Sequence, residues 1–136
     1  MSELKIPANI FGQMVAQANA QAPVEACGIL AGKDNMVVRF YEMTNADNSN
    51  DHFMMGPKEQ FAVVKDIRSS GLELLAIYHS HPVTPARPSP EDIRLALTPN
   101  VVYVIVSLRD SSCSMAKGFL IEYGAITEVP VKVLGK

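Results

Sequence analysis

The stretch LELLAIYHSHPVTPARPSPED, residues 72–92, decides how the chain is read. From Leu72 to Tyr78 apolar side chains fall on both alternating faces, which predicts a strand covered on both sides. His79 and His81 continue that strand. Side chains alternate along a strand, so both imidazoles point to one face and Ser80 to the other. A loop restricted by Pro82, Pro85 and Pro88 follows. Ser89-Pro90-Glu91-Asp92 then has the form of a helix start, with Ser89 as N-cap, Pro90 as first helical residue and Asp92 reaching back in a capping box.

Outward from this strand the rest of the pattern falls into place. A helix is predicted from Pro7, with Ile10, Phe11, Met14, Val15 and Ala18 on one face, and Pro23 stops it. The runs CGILAG and MVVRFYEM are strand-like and joined by the turn GKDN, so they should pair as a hairpin. TNADNSNDH, residues 44–52, reads as a polar loop. A second helix begins near Pro57 and ends at Gly71, with Phe61, Val64 and Ile67 as its apolar stripe. After the short helix at Ser89 come three more strands, VVYVIVSL, CSMAKGFLIEY and ITEVPVKVL, with Gly124 in the last turn. This order predicts an α/β protein with a mixed β-sheet flanked by helices.

The chain of 136 residues suits one domain spanning 1–136. Its 48% apolar and 19% charged residues are a globular composition. A net charge of −2 gives no case for nucleic acid or an acidic membrane surface as partner. No apolar run is long enough to span a bilayer. MSELKIPANI lacks the pattern of a secretory signal, so a cytoplasmic location is expected. Cys27 and Cys113 make no disulfide framework and are read as reduced and largely buried.

Two imidazoles on one strand face can chelate a single ion. Zinc favours nitrogen ligands and tetrahedral geometry, and Asp92 is the nearest candidate for a third ligand. The prolines reduce the entropy cost of carrying it back to the histidines. Two histidines and one carboxylate leave a fourth position open, as catalytic sites do. The same segment also reads as an ordinary capped helix start that needs no metal, and His-Ser-His alone is a weak signal. Glu25, in PVEACGILAG, adds weight. A carboxylate at the lip of an apolar strand is costly unless it meets water or a partner. It is either the solvated last residue before the strand or a general base within reach of a reacting water.

With Glu25 included, the sequence resembles the JAMM/MPN+ metalloproteases. That family's motif is a glutamate, then far along the chain His-(Ser/Thr)-His-Pro, seven residues counted from that proline, Ser, two residues and Asp. Here it reads Glu25, His79-Ser80-His81-Pro82 and Ser89-Pro90-Glu91-Asp92, with Pro82 to Pro88 filling the gap. The resemblance extends over essentially the whole chain. It implies a sheet between helices, similar in outline to the cytidine deaminases. It implies that His79, His81 and Asp92 bind zinc (Zn2+) with water as fourth ligand, and that the metal wins the Asp92 carboxylate from the helix cap. Glu25 would be the general acid/base, and Ser89 would donate to the oxyanion. It implies cleavage of a peptide or isopeptide bond, often after the Gly-Gly tail of a ubiquitin-like protein. Some compact bacterial members are associated with ubiquitin-like sulfur-carrier proteins, which they free of a C-terminal extension or an attached cysteine, and the resemblance implies that substrate class here. A sheet edge beside the zinc could take the tail by strand addition, with MVVRFYEM and TNADNSNDH as walls.

Other readings fit the residues less well. Deaminase chemistry needs a P-C-x-x-C segment, which is absent, and there is no H-E-x-x-H helix. A non-catalytic MPN-type binding module is the alternative, but such members lack motif residues and this chain lacks none. A DNA-repair-associated branch of the fold has similar spacing, and the acidic balance argues against it. Cys27 is read as a core cysteine rather than a fourth ligand. His52 is read as a surface residue, and Met54 and Met55 as packing.

Overall fold

The structure is a computed structural model that describes residues 3–109 and 115–135; Cys113 lies outside these residues. The chain runs β1 (Leu4–Pro7), α1 (Ala8–Gln21), β2 (Cys27–Lys33), β3 (Met36–Met43), α2 (Pro57–Ser69), β4 (Glu73–His81), α3 (Pro90–Leu95), β5 (Val102–Ser107), β6 (Met115–Glu122), β7 (Ala125–Val129) and β8 (Val131–Leu134). These strands form one mixed sheet in the order β7-β6-β5-β4-β2-β3-β1-β8. β4 lies inside it, antiparallel to β2 and parallel to β5, as its two-sided apolar pattern predicts. The GKDN turn closes the β2–β3 hairpin through Asp34 and Asn35, both with positive φ, the conformation a two-residue turn of this kind requires.

Two helical elements differ from the sequence reading. α1 starts at Ala8 because Leu4–Pro7 is a strand pairing in parallel with β8. That partner lies at the far end of the chain, so no local pattern announces it. In α2 the inward residues are Val63 and Ile67, while Phe61 is 72% exposed. Of the predicted stripe, Ile67 packs inward as expected, whereas Phe61 faces away and Val63 takes its place against the sheet. It ends at Ser69, and Gly71 takes a positive φ just beyond, where the Leu72 N–H donates to the Ile67 carbonyl (3.0 Å).

The predicted strand ITEVPVKVL is split at Pro130. Its first half pairs with β6 and its second half with β1, so a single residue joins the two margins of the sheet. Proline has no N–H to continue a ladder, and here its carbonyl accepts from the Leu4 N–H (2.9 Å). The margins come so close that a Cβ on Gly118 of β6 would lie 2.9 Å from Val131 of β8.

One face of the sheet packs on α1 through Ile10, Met14 and Ala18, against Leu30, Tyr78 and Val104. The other face carries two smaller cores. Cys27, Ile29 and Met43 pack under α2, and Tyr103, Ile105 and Phe119 pack under α3. His79 and His81 project on this second face. Leu30, fully buried at the centre of β2, tests the first core. Leu30→Ala should cost about 2–5 kcal/mol in chemical denaturation, with an unchanged m-value.

Candidate metal centre and active site

β2 and β4 set the site between them. Cys27 pairs with His79 in the antiparallel ladder. Just past that pair the chain of β2 is held by a buried serine: the Ala26 N–H donates to Ser80 Oγ (2.8 Å), and the Ser80 N–H donates to the Ala26 carbonyl (2.9 Å). Glu25 is thereby fixed next to the histidine face. Ser80, read only as pointing away from the site, turns out to be the fastener.

Asp92 arrives from the other side. Ser89 caps α3, its Oγ accepting from the Asp92 N–H (3.0 Å) while the Ser89 N–H donates to Asp92 Oδ2 (2.9 Å). The capping box is intact. The same Oδ2 lies 3.0 Å from His81 Nε2 and 3.2 Å from His79 Nε2. The two readings of Asp92 coexist because the cap itself aims this oxygen at β4.

The two Nε2 atoms are 3.1 Å apart. His79, His81 and Asp92 are all buried, and among the described residues they form the group able to hold a metal ion. His81 Nδ1 donates to the Pro85 carbonyl (2.9 Å), so its proton sits there and a neutral ring presents a bare Nε2. A bare nitrogen facing a carboxylate oxygen sets acceptor against acceptor, so either a proton or a metal ion must lie between them. Separations of 3.0–3.2 Å also approach the ~3.3 Å edge of a tetrahedron with bonds of about 2.0 Å. The residues fit an ion on both counts.

Electrostatics separates the groups. Burial alone would raise the Asp92 pKa, but the hydrogen bonds with both imidazoles hold it well below the carboxylate range. Burial lowers the pKa of His79. Burial also opposes charge on His81, where the bonds to Asp92 and to the Pro85 carbonyl prevail and raise it. Glu25 is 3% exposed, and its Oε1 has no hydrogen-bond partner. Burial pushes its pKa up to about 7, with His81 acting against the shift and Asp92 adding to it. Cys27 packs in the core under α2, and burial pushes its thiol up to about 12, which suits a core residue rather than a ligand.

The polar loop after β3 does more than border the site. Asn45 is buried, and its Nδ2 donates to the carbonyls of Glu25 (3.0 Å) and His52 (3.0 Å). Its Oδ1 accepts from the N–H groups of Asp47 (3.2 Å) and Met54 (3.1 Å). The Glu25 N–H donates to the Ser49 carbonyl (2.9 Å). One side chain thus folds the loop and grips the backbone of Glu25. His52, placed on the surface by the sequence reading, is half-buried between Asp47 and Asp51, both at 2.9 Å, and those contacts raise its pKa. Phe53 stacks on His79 with ring centroids 4.8 Å apart. Met55 is buried as expected, whereas Met54 is 47% exposed. MVVRFYEM does not offer the expected sheet edge: β2 lies between β3 and β4, and β4 is paired on both sides, so among the described residues no open edge adjoins the histidines. Asn45 and Phe53 were missed: Asn45 sits among similar polar residues, and Phe53 follows that loop with no motif to mark it.

This arrangement is a mixed sheet that presents three buried side chains able to hold a metal ion. Residues 7–117 match the family of prokaryotic homologues of the JAB domain. A CysO-cysteine peptidase of Mycobacterium tuberculosis is 38% identical over 133 residues, covering 96% of this chain and 91% of its own length. A desampylase of Pyrococcus furiosus is 31% identical over 106 residues, 78% of this chain and 75% of its own. The solution structure of protein DSY2949 from Desulfitobacterium hafniense, 39% identical, superposes with a TM-score of 0.89, covering 98% of this chain and 94% of that one. The chain belongs to the prokaryotic JAB-domain homologues, shares the JAB1/MPN fold, and is a hydrolase of the peptidase kind. Among the described residues no helix is long and apolar enough to cross a membrane.

Two outcomes follow for the site. In metal-stripped protein the Glu25 carboxyl costs nothing below pH 4.5, its ordinary pKa, and destabilises the fold as pH rises through about 7. Glu25→Gln should remove that slope, a difference on the order of 3 kcal/mol between the two proteins at pH 8. Asn45→Ala should lower stability by about 1–3 kcal/mol in denaturant titrations, and should reduce kcat more than it raises KM, because it frees the backbone of Glu25.

Proposed function

We propose that the chain is a zinc metallopeptidase that hydrolyses the amide following the C-terminal Gly-Gly of a ubiquitin-like or sulfur-carrier protein. The observation that supports it most is the convergence of His79 Nε2, His81 Nε2 and Asp92 Oδ2 within 3.0–3.2 Å, with the buried carboxyl of Glu25 held beside them but outside the group. His79, His81 and Asp92 would hold the ion. When bound there, zinc supplies Lewis acidity, polarising the scissile carbonyl and lowering the pKa of water to about 7.

The chain's own groups do the rest. Glu25 accepts a proton from the attacking water and returns it to the departing amine. A carboxyl poised near neutrality exchanges that proton easily in either direction, and Glu25 has the partnerless Oε1 to receive it. Ser89 Oγ is occupied as an acceptor by the Asp92 N–H, which leaves its hydroxyl proton to donate to the developing oxyanion. Asp92, held anionic, stays a ligand and takes no part in proton transfer. The loop of residues 44–55 borders the site and is a suitable wall for an extended tail. The relatives named for a CysO-cysteine adduct and for desampylation support this substrate class. We place the reaction in the cytoplasm and assign it to a single domain.

Elemental analysis should find about one zinc per chain, lost in His79→Ala. Glu25→Gln should retain the metal while hydrolysis of a carrier protein with an extended Gly-Gly tail, followed by mass spectrometry, falls by about 10²–10⁴. Full activity in that variant would remove Glu25 from the mechanism.

A further inference from the structure

Beside His79 and Asp92 lies a cavity of about 220 Å³ that the reaction above does not use. Its floor is the sheet, where Tyr103, Ile105 and Ile121 are at most 6% exposed and Ile77 lies beside them. Its walls are the end of the polar loop on one side and the chain after α3 on the other. Two polar groups of this lining are engaged within the protein: Tyr103 Oη accepts from the Thr98 N–H (3.1 Å), and Gln60 Nε2 donates to the Met55 carbonyl (2.8 Å). Among the described residues, the only carboxylate or imidazole side chains lining it are those of His79 and Asp92, at the end that meets the candidate metal centre.

Two large apolar side chains of this lining stand in water, Leu97 at 82% and Met54 at 47% exposure. An occupant that covered them would gain the corresponding hydrophobic stabilisation. Size limits that occupant. An apolar cavity of about 150 Å³ takes a benzene, and sites for drug-sized ligands begin near 300 Å³. The space therefore suits one side chain.

The question is which side chain. On the proposed peptidase reading, on which this step rests, the acyl side of the scissile bond is Gly-Gly and has none to offer. We infer that the cavity receives the side chain of the released residue, and that it selects an uncharged, apolar one, from cysteine up to leucine or methionine. A lysine or glutamate there would lose its hydration with no partner for its charge. A lysine joined through Nζ would bring an aliphatic stem, but its protein chain would meet a floor closed by the sheet.

The test uses the zinc-loaded protein and a sulfur-carrier protein whose Gly-Gly terminus is extended by one residue: glycine, cysteine, leucine, methionine, glutamate or lysine. The same carrier joined to the Nζ of a lysine in a peptide completes the set. Leucine and methionine should be released with kcat/KM at least tenfold above glycine, and glutamate below it. The same order should appear in the Kd of these extended carriers for Glu25→Gln, which binds without cleaving. Met54→Glu and Leu97→Asp, both at exposed positions, should shrink the leucine-to-glycine ratio toward one. Equal rates for leucine and glycine, fastest cleavage of the Nζ conjugate, or an unchanged ratio in both variants would each overturn the assignment and leave the peptidase reading standing. No cleavage of any member with metal bound would overturn both.

Discussion

The site depends on the register between β2 and β4. Because side chains alternate, a slip of one residue would drive both imidazoles into the core against α1 and turn Ser80 toward the site. The register is closed by the pair of hydrogen bonds between Ala26 and Ser80. Ser80 is fully buried on the α1 side, where an apolar residue would be the simpler choice, and a buried hydroxyl without a partner is destabilising. The Ala26 N–H lies just before the paired part of β2, where it too would lack a partner. Each satisfies the other, and the residue between the two histidines thereby fixes the position of the residue that follows Glu25.

On the opposite side the site is assembled from local motifs that stabilise the chain on their own account. Ser107 Oγ donates to the Thr84 carbonyl (2.6 Å), and His81 Nδ1 takes the next carbonyl, that of Pro85. These two bonds tie the proline-containing loop to β5 and β4 and set the tautomer of His81. The capping box then sets Asp92. A helix cap contributes about 1 kcal/mol wherever it occurs, so the ligand position costs the fold little. Geometry useful to an ion here comes from interactions a helix start would make in any case.

Much of this was legible in the residues, for physical reasons that can be named. The two-sided apolar run before His79 specified an inner strand, and the spacing His79-x-His81 specified a shared face, because strand alternation is a local rule. The helix start at Ser89 is equally local. What escaped was nonlocal. β1 exists through pairing with β8 across the length of the chain. The break at Pro130 matters only because the two halves find different partners, and the burial of Val63 rather than Phe61 follows from how α2 sits on the sheet. Asn45 looked like its neighbours Asn48 and Asn50 in sequence; only the folded loop distinguishes the asparagine whose amide reaches Glu25.

That loop bears directly on the chemistry. Asp92 and Glu25 begin with nearly the same acidity and are driven in opposite directions. Asp92 is surrounded by groups that favour its charge, two imidazoles and the N–H of a helix cap. Glu25 is removed from water and given no donor for Oε1. Such a separation of two carboxyl groups is what divides a permanent anion from a proton carrier. Loop residues 45–54 help to enforce it on Glu25: Asn45 and Ser49 occupy its backbone groups and hold the loop against it, while its Oε1 remains without a donor. The desolvation that raises the Glu25 pKa is therefore supported by the hydrogen bonds of Asn45, a residue that grips the Glu25 backbone rather than its carboxyl. The character of the acid/base group is thus set partly by the folding of a loop whose sequence, taken alone, is only polar.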